Sequence, residues 1–515
     1  MPIVPCDPTR ELNRLAALVR RGVGFGARTA VVDAVGAHTY ESLSARAASL
    51  AATLLDARAD LEEARVALLA QPGVTYVAGQ WGTWMAGGVS VPLSPQQTPL
   101  EWEHILDDSR ATEAIVTSEH AAVFVPLAAA RGIRVAALDA DVPGARLRFG
   151  EWPVLPVIVP ERRALMLYTS GTTSRPKGVV LTHGNLTAQV ECLTEAWAWT
   201  GDDRALHVLP LNHTHGVVNI LACALWSGAA CEVAGRFDAA EVWQRLASGE
   251  ITVFMAVPTI YGRLIAAWRE AAPEVRRAWS QGASRLRLFV SGSAALPVAV
   301  LEGWRAITGH ILLERYGMTE TGMVLSNPLR GERQPGFVGA PLPGVAVRLV
   351  NEAGDDVADG VPGEILVRGR GVFREYWQCP DATAAAFAEG RWFRTGDVAV
   401  RESGAFRILG RSSIDIIKTG GEKVSALEVE AVLREHPDIA DCAVVGLPDT
   451  EWGECVAAVV AARGQAAITL PELREWARSR LSGPRLPRRL LVVPELPRNA
   501  MGKVVKPRLI QLFER

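Results

Sequence analysis

Eleven consecutive residues, Tyr168-Thr-Ser-Gly-Thr-Thr-Ser-Arg-Pro-Lys-Gly178, hold the densest set of anion-binding groups in the chain. Five hydroxyls, on Thr169, Ser170, Thr172, Thr173 and Ser174, together with main-chain N–H groups, can ring a phosphate. Gly171 lets the backbone approach a ligand closely. Lys177 adds a point charge suited to a polyphosphate. The loop is not a Walker A sequence, because its lysine precedes Gly178 rather than Ser or Thr. A Ser/Thr-rich surface turn is the bland alternative, and the ordered run of residue types argues against it.

Further motifs follow along the chain: LPLNHTHG (209–216), ERYGMTE (314–320), WFRTGDVA (392–399), ILGRSS (408–413), KTGGEKVSALEVE (418–430) and PRNAMGK (497–503). With the hydroxyl loop, this ordered set resembles the signatures of the adenylate-forming superfamily of acyl-CoA synthetases, peptide-synthetase adenylation domains and luciferases. The chain departs from that pattern at Ser174, where the family usually has glycine. The resemblance implies a two-part reaction. A carboxylate attacks the α-phosphate of ATP and releases pyrophosphate; a thiol, normally that of CoA, then displaces AMP from the acyl-adenylate.

What the resemblance implies for single residues is specific. The loop 169–177 would hold the β- and γ-phosphates, and Glu320 would accompany a Mg2+ ion, a hard cation suited to carboxylate and phosphate oxygens. Thr319 would lie near the α-phosphate, with Tyr316 on adenine beside Gly317. Asp397 and Arg411 match the ribose-gripping positions. Lys503 resembles the lysine that bridges the attacking carboxylate and the α-phosphate, stabilising the transition state by its charge. The C-terminal domain pivots after Arg411 in this family; Ser413 stands at the hinge where Asp or Lys is usual. Lys418, Gly420 and Gly421 would reach the CoA pantetheine in the second pose.

The acid is the next question. His213 occupies the family position bordering the acyl site; His215 is an additional histidine. In LRLFVSGSAALP, Arg287, Phe289 and Ser291 share one strand face by period two. The family's acyl pocket is built from the turn that begins at Ser291, and Met318 faces it. An arginine in an apolar strand needs a partner, because an unpaired buried charge is costly. Two partners fit: an Asp or Glu of the protein, or a second carboxylate on the substrate held by the guanidinium fork. The wording of HVLPLNHTHGVVN, VFMAVPTIY, RLFVSGSAALP, LLERYGMTE, VFREYW and DIIKTGG is similar to the malonyl-CoA synthetases. That likeness implies malonate, or methylmalonate, as the acid. The competing readings are a short- or medium-chain monocarboxylate–CoA ligase, an adenylation enzyme loading a separate carrier protein, and a sensor that binds without turnover.

The elements that must position these groups are legible from periodicity. Apolar runs RVALLA (65–70), ALMLYTS (164–170), ITVFMAVP (251–258) and LRLFVSG (286–292) alternate with helical spacings such as Leu186, Val190, Leu193 and Trp197. Two alternating periods predict α/β layers with substantially parallel sheet. From Val345 the pattern turns β-rich, with GVAVRLV and GEILVRG. The expected fold is α/β: a large N-terminal body of two α/β subdomains plus a small β-rich section, and a small mobile α+β C-terminal domain. The boundaries read as residues 1–410, a hinge at 411–413, and 414–515. Within the tail, Ser425 and Glu428 predict a capping box. The stretch from Val217 to Cys231 reads as one buried helix, too interrupted for the roughly 20 apolar residues of a bilayer span.

Composition bounds the partners. Among 515 residues, 54 Lys plus Arg face 56 Asp plus Glu, for a net charge of −2, which excludes a dedicated nucleic-acid face. With 49% apolar residues, disorder is excluded as well. The expected partners are small anions: a dicarboxylic acid, ATP and CoA. Seven scattered cysteines without C-x-x-C spacing suit a reducing compartment. Residues 10 to 21 mimic an Arg-bearing presequence, but Asp7 and Glu11 count against one; the expectation is cytoplasmic.

Overall fold

The computed structural model describes residues 12–138, 152–169, 176–464, 466–498 and 504–513. Contacts divide the chain into two compact units. One comprises residues 1–333, 341–346 and 368–387; the other comprises 334–340, 347–367 and 388–515.

Two sheets carry the α/β layers of the first unit. One runs in the order Glu375–Tyr376, Lys177–Thr182, Arg163–Thr169, Val89–Pro92, Arg65–Leu69, Glu113–Thr117, Arg134–Leu138. Its strands are parallel from Arg163–Thr169 onward, while Lys177–Thr182 turns back antiparallel and Glu375–Tyr376 lies antiparallel to that. Val66 to Leu69 are fully buried, so the strand reads as an unbroken apolar run. The other sheet includes, in order, Gly322–Ser326, Leu313–Met318, Leu288–Ser291, Val253–Ala256, Arg204–His207, Ala230–Val233 and Thr29–Asp33, parallel from Leu313–Met318 to Thr29–Asp33.

Between the strands the helical spacings form helices. His183–Ala196 starts at a capping box in which Thr182 and Asn185 satisfy each other's backbone N–H groups. It buries Leu186, Val190 and Leu193, as their spacing predicts. Behind the strands Val253–Ala256 and Leu288–Ser291, Trp243 stacks on Trp279 and Trp304 at centroid distances of 5.6 and 5.2 Å. Such pairs each add about 1 kcal/mol beyond their buried area, which makes a rigid floor for those strands.

The segment expected as one helix from Val217 to Cys231 is three elements. A π-helix, His215–Ala222, runs into the α-helix Cys223–Ser227, which ends at Gly228 in the left-handed region. Cys231 then lies in the strand Ala230–Val233. The apolar character comes from burial on all sides, which helix and strand share. Among the described residues no helix is long and apolar enough to cross a membrane.

In the second unit, Trp392–Glu402 and Ala405–Arg411 form an antiparallel hairpin beside residues 363–367. A second sheet runs Glu422–Ser425, Ile416–Thr419, Gly453–Ala462, Ile439–Asp449, with Arg489–Val493 parallel to Gly453–Ala462. Both faces are covered: Cys442 and Val444 pack with Ile417 and Leu473, Ala443 and Val445 with Leu509. The contacts do not divide at Gly410. Residues 388–410 group with the C-terminal residues, since Ser425 donates to the Leu409 carbonyl and Arg407 pairs with Glu428. Those bonds also alter the expected capping box. Ser425 accepts from the Glu428 N–H, but the Glu428 carboxylate turns to Arg407 and Arg485.

Candidate active site

Ligands of open α/β sheets gather beyond the carboxyl ends of the parallel strands. At that end of the second sheet of the first unit, Ser291 pairs in register with Glu314, so Gly292 and Arg315 follow side by side. A Cβ on Gly292 would stand 2.4 Å from the Arg315 guanidinium, so only glycine leaves room for it. After Arg204–His207 the chain passes half-buried His213 and enters the π-helix beginning at His215. Such helices are rare and recur at functional sites.

Polar groups here are buried and lack protein partners. Ser291 Oγ, Thr214 Oγ1, His215 Nε2, both amide atoms of Asn219, and Arg315 Nε and Nη2 find no hydrogen bond among the described residues. Arg315 is 3% exposed, and burial pushes its guanidinium down to about 9. His215 Nδ1 lies 3.2 Å from Ser293 Oγ. Burial first, then the Arg315 charge, holds the His215 imidazole well below its ordinary range, so it is neutral near pH 7. Ser293 adopts φ of +70°, an uncommon conformation for a residue with a side chain and one that clusters at ligand sites. Native interiors rarely leave such groups unpaired. A buried guanidinium, a neutral imidazole and unpartnered hydroxyls are the donor chemistry that suits a small anion.

Arg287 does not belong to that group. It precedes the strand Leu288–Ser291, at the amino end, about 13 Å of extended chain from Ser291. Its guanidinium donates to both carboxylate oxygens of Asp203 and to the Trp197 carbonyl. The expected role in holding a substrate carboxylate is therefore corrected: of the two partners open to Arg287, the structure supplies the protein's own acid. Sequence reasoning passed over Arg315, although LLERYGM carries the same signal, a charge within an apolar strand.

Nearby in the same unit, Thr169 and Lys177 face each other across the hairpin of the phosphate loop. Ser170, Gly171, Thr172, Thr173 and Ser174 lie outside the described residues. Tyr316, Gly317 and Met318 close the strand Leu313–Met318, all half-buried, and Thr319 and Glu320 form the turn into Gly322–Ser326. Glu320 is buried and accepts a hydrogen bond from Tyr376 Oη at 2.9 Å. Lys177 Nζ sits 5.2 Å from the centroid of the same tyrosine ring. Among the described residues no cluster of three or more His, Cys, Asp or Glu could hold a metal ion by itself.

In the second unit, Asp397 and Arg411 pair across the hairpin at 2.9 Å, with Asp397 also held by Thr395 Oγ1 through its own N–H. Ser413 is exposed, just past Arg411, whose N–H donates to Asp415. Lys418 begins a tight hairpin in which Thr419 pairs with Glu422. Gly420 and Gly421 both have positive φ, as a two-residue hairpin turn requires. Lys503 lies outside the described residues.

Comparisons with known proteins agree with one another. A model of the AMP-binding enzyme family matches residues 18–377, and one of the AMP-binding enzyme C-terminal domain matches 428–503. The mouse (Mus musculus) mitochondrial malonate–CoA ligase ACSF3 is 46% identical, over 99% of this chain and 92% of its own. The ATP-bound crystal structure of MatB from Rhodopseudomonas palustris superposes with a TM-score of 0.87 at 33% identity, covering 97% of this chain and 99% of that one. A malonyl-CoA ligase in a ternary product complex with methylmalonyl-CoA and AMP gives 0.66 at 37% identity, covering 92% and 97%.

Proposed function

The chain belongs to the family of AMP-binding enzymes, and we propose that within it the protein is a malonate–CoA ligase. One malonate carboxylate oxygen attacks the α-phosphorus of ATP, the bond to the β-phosphate oxygen breaks, and pyrophosphate leaves. The thiol of CoA then gives up its proton to solvent as its sulfur attacks the carbonyl of malonyl-adenylate, the carbon–oxygen bond to the phosphate breaks, and AMP leaves with the carboxylate oxygen it had gained.

The observation that carries the choice of acid is the buried guanidinium of Arg315 with two unpartnered donors. A monocarboxylate would leave that charge unpaired; the second carboxylate of malonate satisfies it through charge-assisted bonds. Ser293 Oγ lies 3.2 Å from His215 Nδ1 and Nε2 has no partner among the described residues; in the tautomer with Ser293 as donor, the Nε2 proton is offered to the same carboxylate as a neutral N–H. Met318 bounds the α-carbon.

The remaining roles follow the family pattern. Lys177 and the loop 169–177 bind the terminal phosphates, Thr319 the α-phosphate, and Tyr316 and Gly317 the adenine. Asp397, oriented by Arg411, accepts the ribose hydroxyls. Lys503 and His213 attend the reacting carboxylate. Lys418, Gly420 and Gly421 meet CoA after a rotation at Ser413. The donor set around Glu320, one hard carboxylate and no larger cluster among the described residues, suits a Mg2+ ion carried in by the polyphosphate. When bound, that ion neutralises charge on the phosphates. The cytoplasm is the proposed location; the described cysteines, all unpaired, suit any reducing compartment.

The test is CoA-thioester formation with ATP and Mg2+ across malonate, methylmalonate, succinate and acetate. Malonate is expected to give the highest kcat/KM. A preference for acetate would overturn the reading.

A further inference from the structure

The activation chemistry assigns Lys177 and Glu320 to the nucleotide phosphates, and two groups of opposite charge on one ligand raise a difficulty. If they paired with each other, neither would offer its full charge. We propose that Tyr376 is the positioning residue that holds both without neutralising either. Its hydroxyl donates to Glu320 Oε1 at 2.9 Å, and Lys177 Nζ lies 5.2 Å from its ring centroid. A phenol O–H orients a carboxylate while leaving its charge intact. The ring face attracts an ammonium through its quadrupole, again without supplying a counter-charge. Lys177 has no carboxylate partner among the described residues, so this ring is its principal anchor.

Tyr376 is itself rigidly placed, as a positioning residue must be. Its backbone pairs with Val179 on the strand that starts at Lys177, and the next residue, Trp377, donates to the Gly178 carbonyl at 2.8 Å. Thr383 Oγ1 accepts from the Tyr376 N–H at 3.0 Å. On the other side Phe373 lies against the ring at 4.7 Å, and its N–H donates to the Glu320 carbonyl at 2.7 Å. The segment 373–377 thus ties the backbone of Glu320 to the strand carrying Lys177, and Tyr376 repeats that link through its side chain. The motif VFREYW has this physical content.

The inference rests on the ATP-dependent activation proposed above, but its test does not depend on which acid is preferred. Full-length Tyr376→Phe and Tyr376→Leu are compared with wild type in two half-reactions: pyrophosphate release under saturating acid, and acyl transfer from preformed acyl-adenylate to CoA. Loss of one hydrogen bond to a charged group should lower kcat of pyrophosphate release about tenfold in Tyr376→Phe, with KM for ATP held. Tyr376→Leu, lacking the ring, should also raise KM for ATP several-fold, by roughly the factor a cation–π contact supplies. Acyl transfer, which no longer involves the β- and γ-phosphates, should stay near wild type in both variants. Unchanged pyrophosphate release in Tyr376→Phe would overturn the proposal. So would a parallel fall of both half-reactions with the melting midpoint, which marks a merely structural role. Wild-type enzyme that releases no pyrophosphate with any acid would overturn the activation reading, and this inference with it.

Discussion

Arg287 grips Asp203 with two parallel hydrogen bonds, Nε to Oδ1 at 2.6 Å and Nη2 to Oδ2 at 2.7 Å. The Asp203 side chain is 3% exposed. Burial alone would raise its pKa, but bonds from Arg287, the Thr200 N–H and Thr252 outweigh that and hold it below the ordinary carboxylate range. Arg287→Met leaves a buried carboxylate without its counter-ion, which costs roughly 3 kcal/mol. The expected outcome in urea is an earlier unfolding midpoint, with malonate kinetics of the folded enzyme close to wild type. A stable variant that had lost malonate use would return Arg287 to the substrate site.

Gly292 gives a second handle on Arg315. A methyl group there would overlap the Arg315 guanidinium at 2.4 Å, so the arginine must move. Gly292→Ala should raise KM for malonate about tenfold, the loss of roughly one charge-assisted bond, while KM for ATP stays within about twofold of wild type. Steady-state titration of each substrate measures both. Equal changes in the two KM values would show a general distortion instead.

The pH profile follows from the same guanidinium. Burial brings Arg315 down to about 9. The free enzyme therefore loses the charge as pH rises through about 9, and kcat/KM for malonate should fall there. A bound carboxylate favours the charged form and raises the pKa, so kcat at saturating malonate should hold to higher pH. Pyrophosphate release measured from pH 6 to 10.5 separates the two limbs. Coincident limbs would mean that some other group sets the profile.

Much of the architecture was legible from residue periodicity. The strand ending at Thr169, the helix His183–Ala196 and the alternating layers follow from apolar runs and helical spacing. The identity of the arginine was not. Arg287 and Arg315 both sit by apolar strands, and the difference lies in Asp203, 84 residues before Arg287, which reaches it only through folding. Nothing local marks that pairing. The stretch 217–231 failed for a related reason: with helix and strand both buried, its hydrophobicity carried no period, and Gly228 alone signalled the break. At Gly410, the bonds from Ser425 and Arg407 that carry the grouping past the motif are tertiary contacts of the same kind.

The central claim is that Arg315 holds the second carboxylate, and Arg315→Met tests it most directly. Two charge-assisted bonds of about 1.5–3 kcal/mol each correspond to at least about a hundredfold in kcat/KM for malonate. Removing a buried, unpaired charge should leave the melting midpoint unchanged or higher, and acetate should be activated no worse than by wild type. Adenylation of malonate and acetate, followed side by side in this variant and in wild type, gives the answer. A selective loss of malonate with stability kept is the expected result; malonate kinetics equal to wild type would contradict the account.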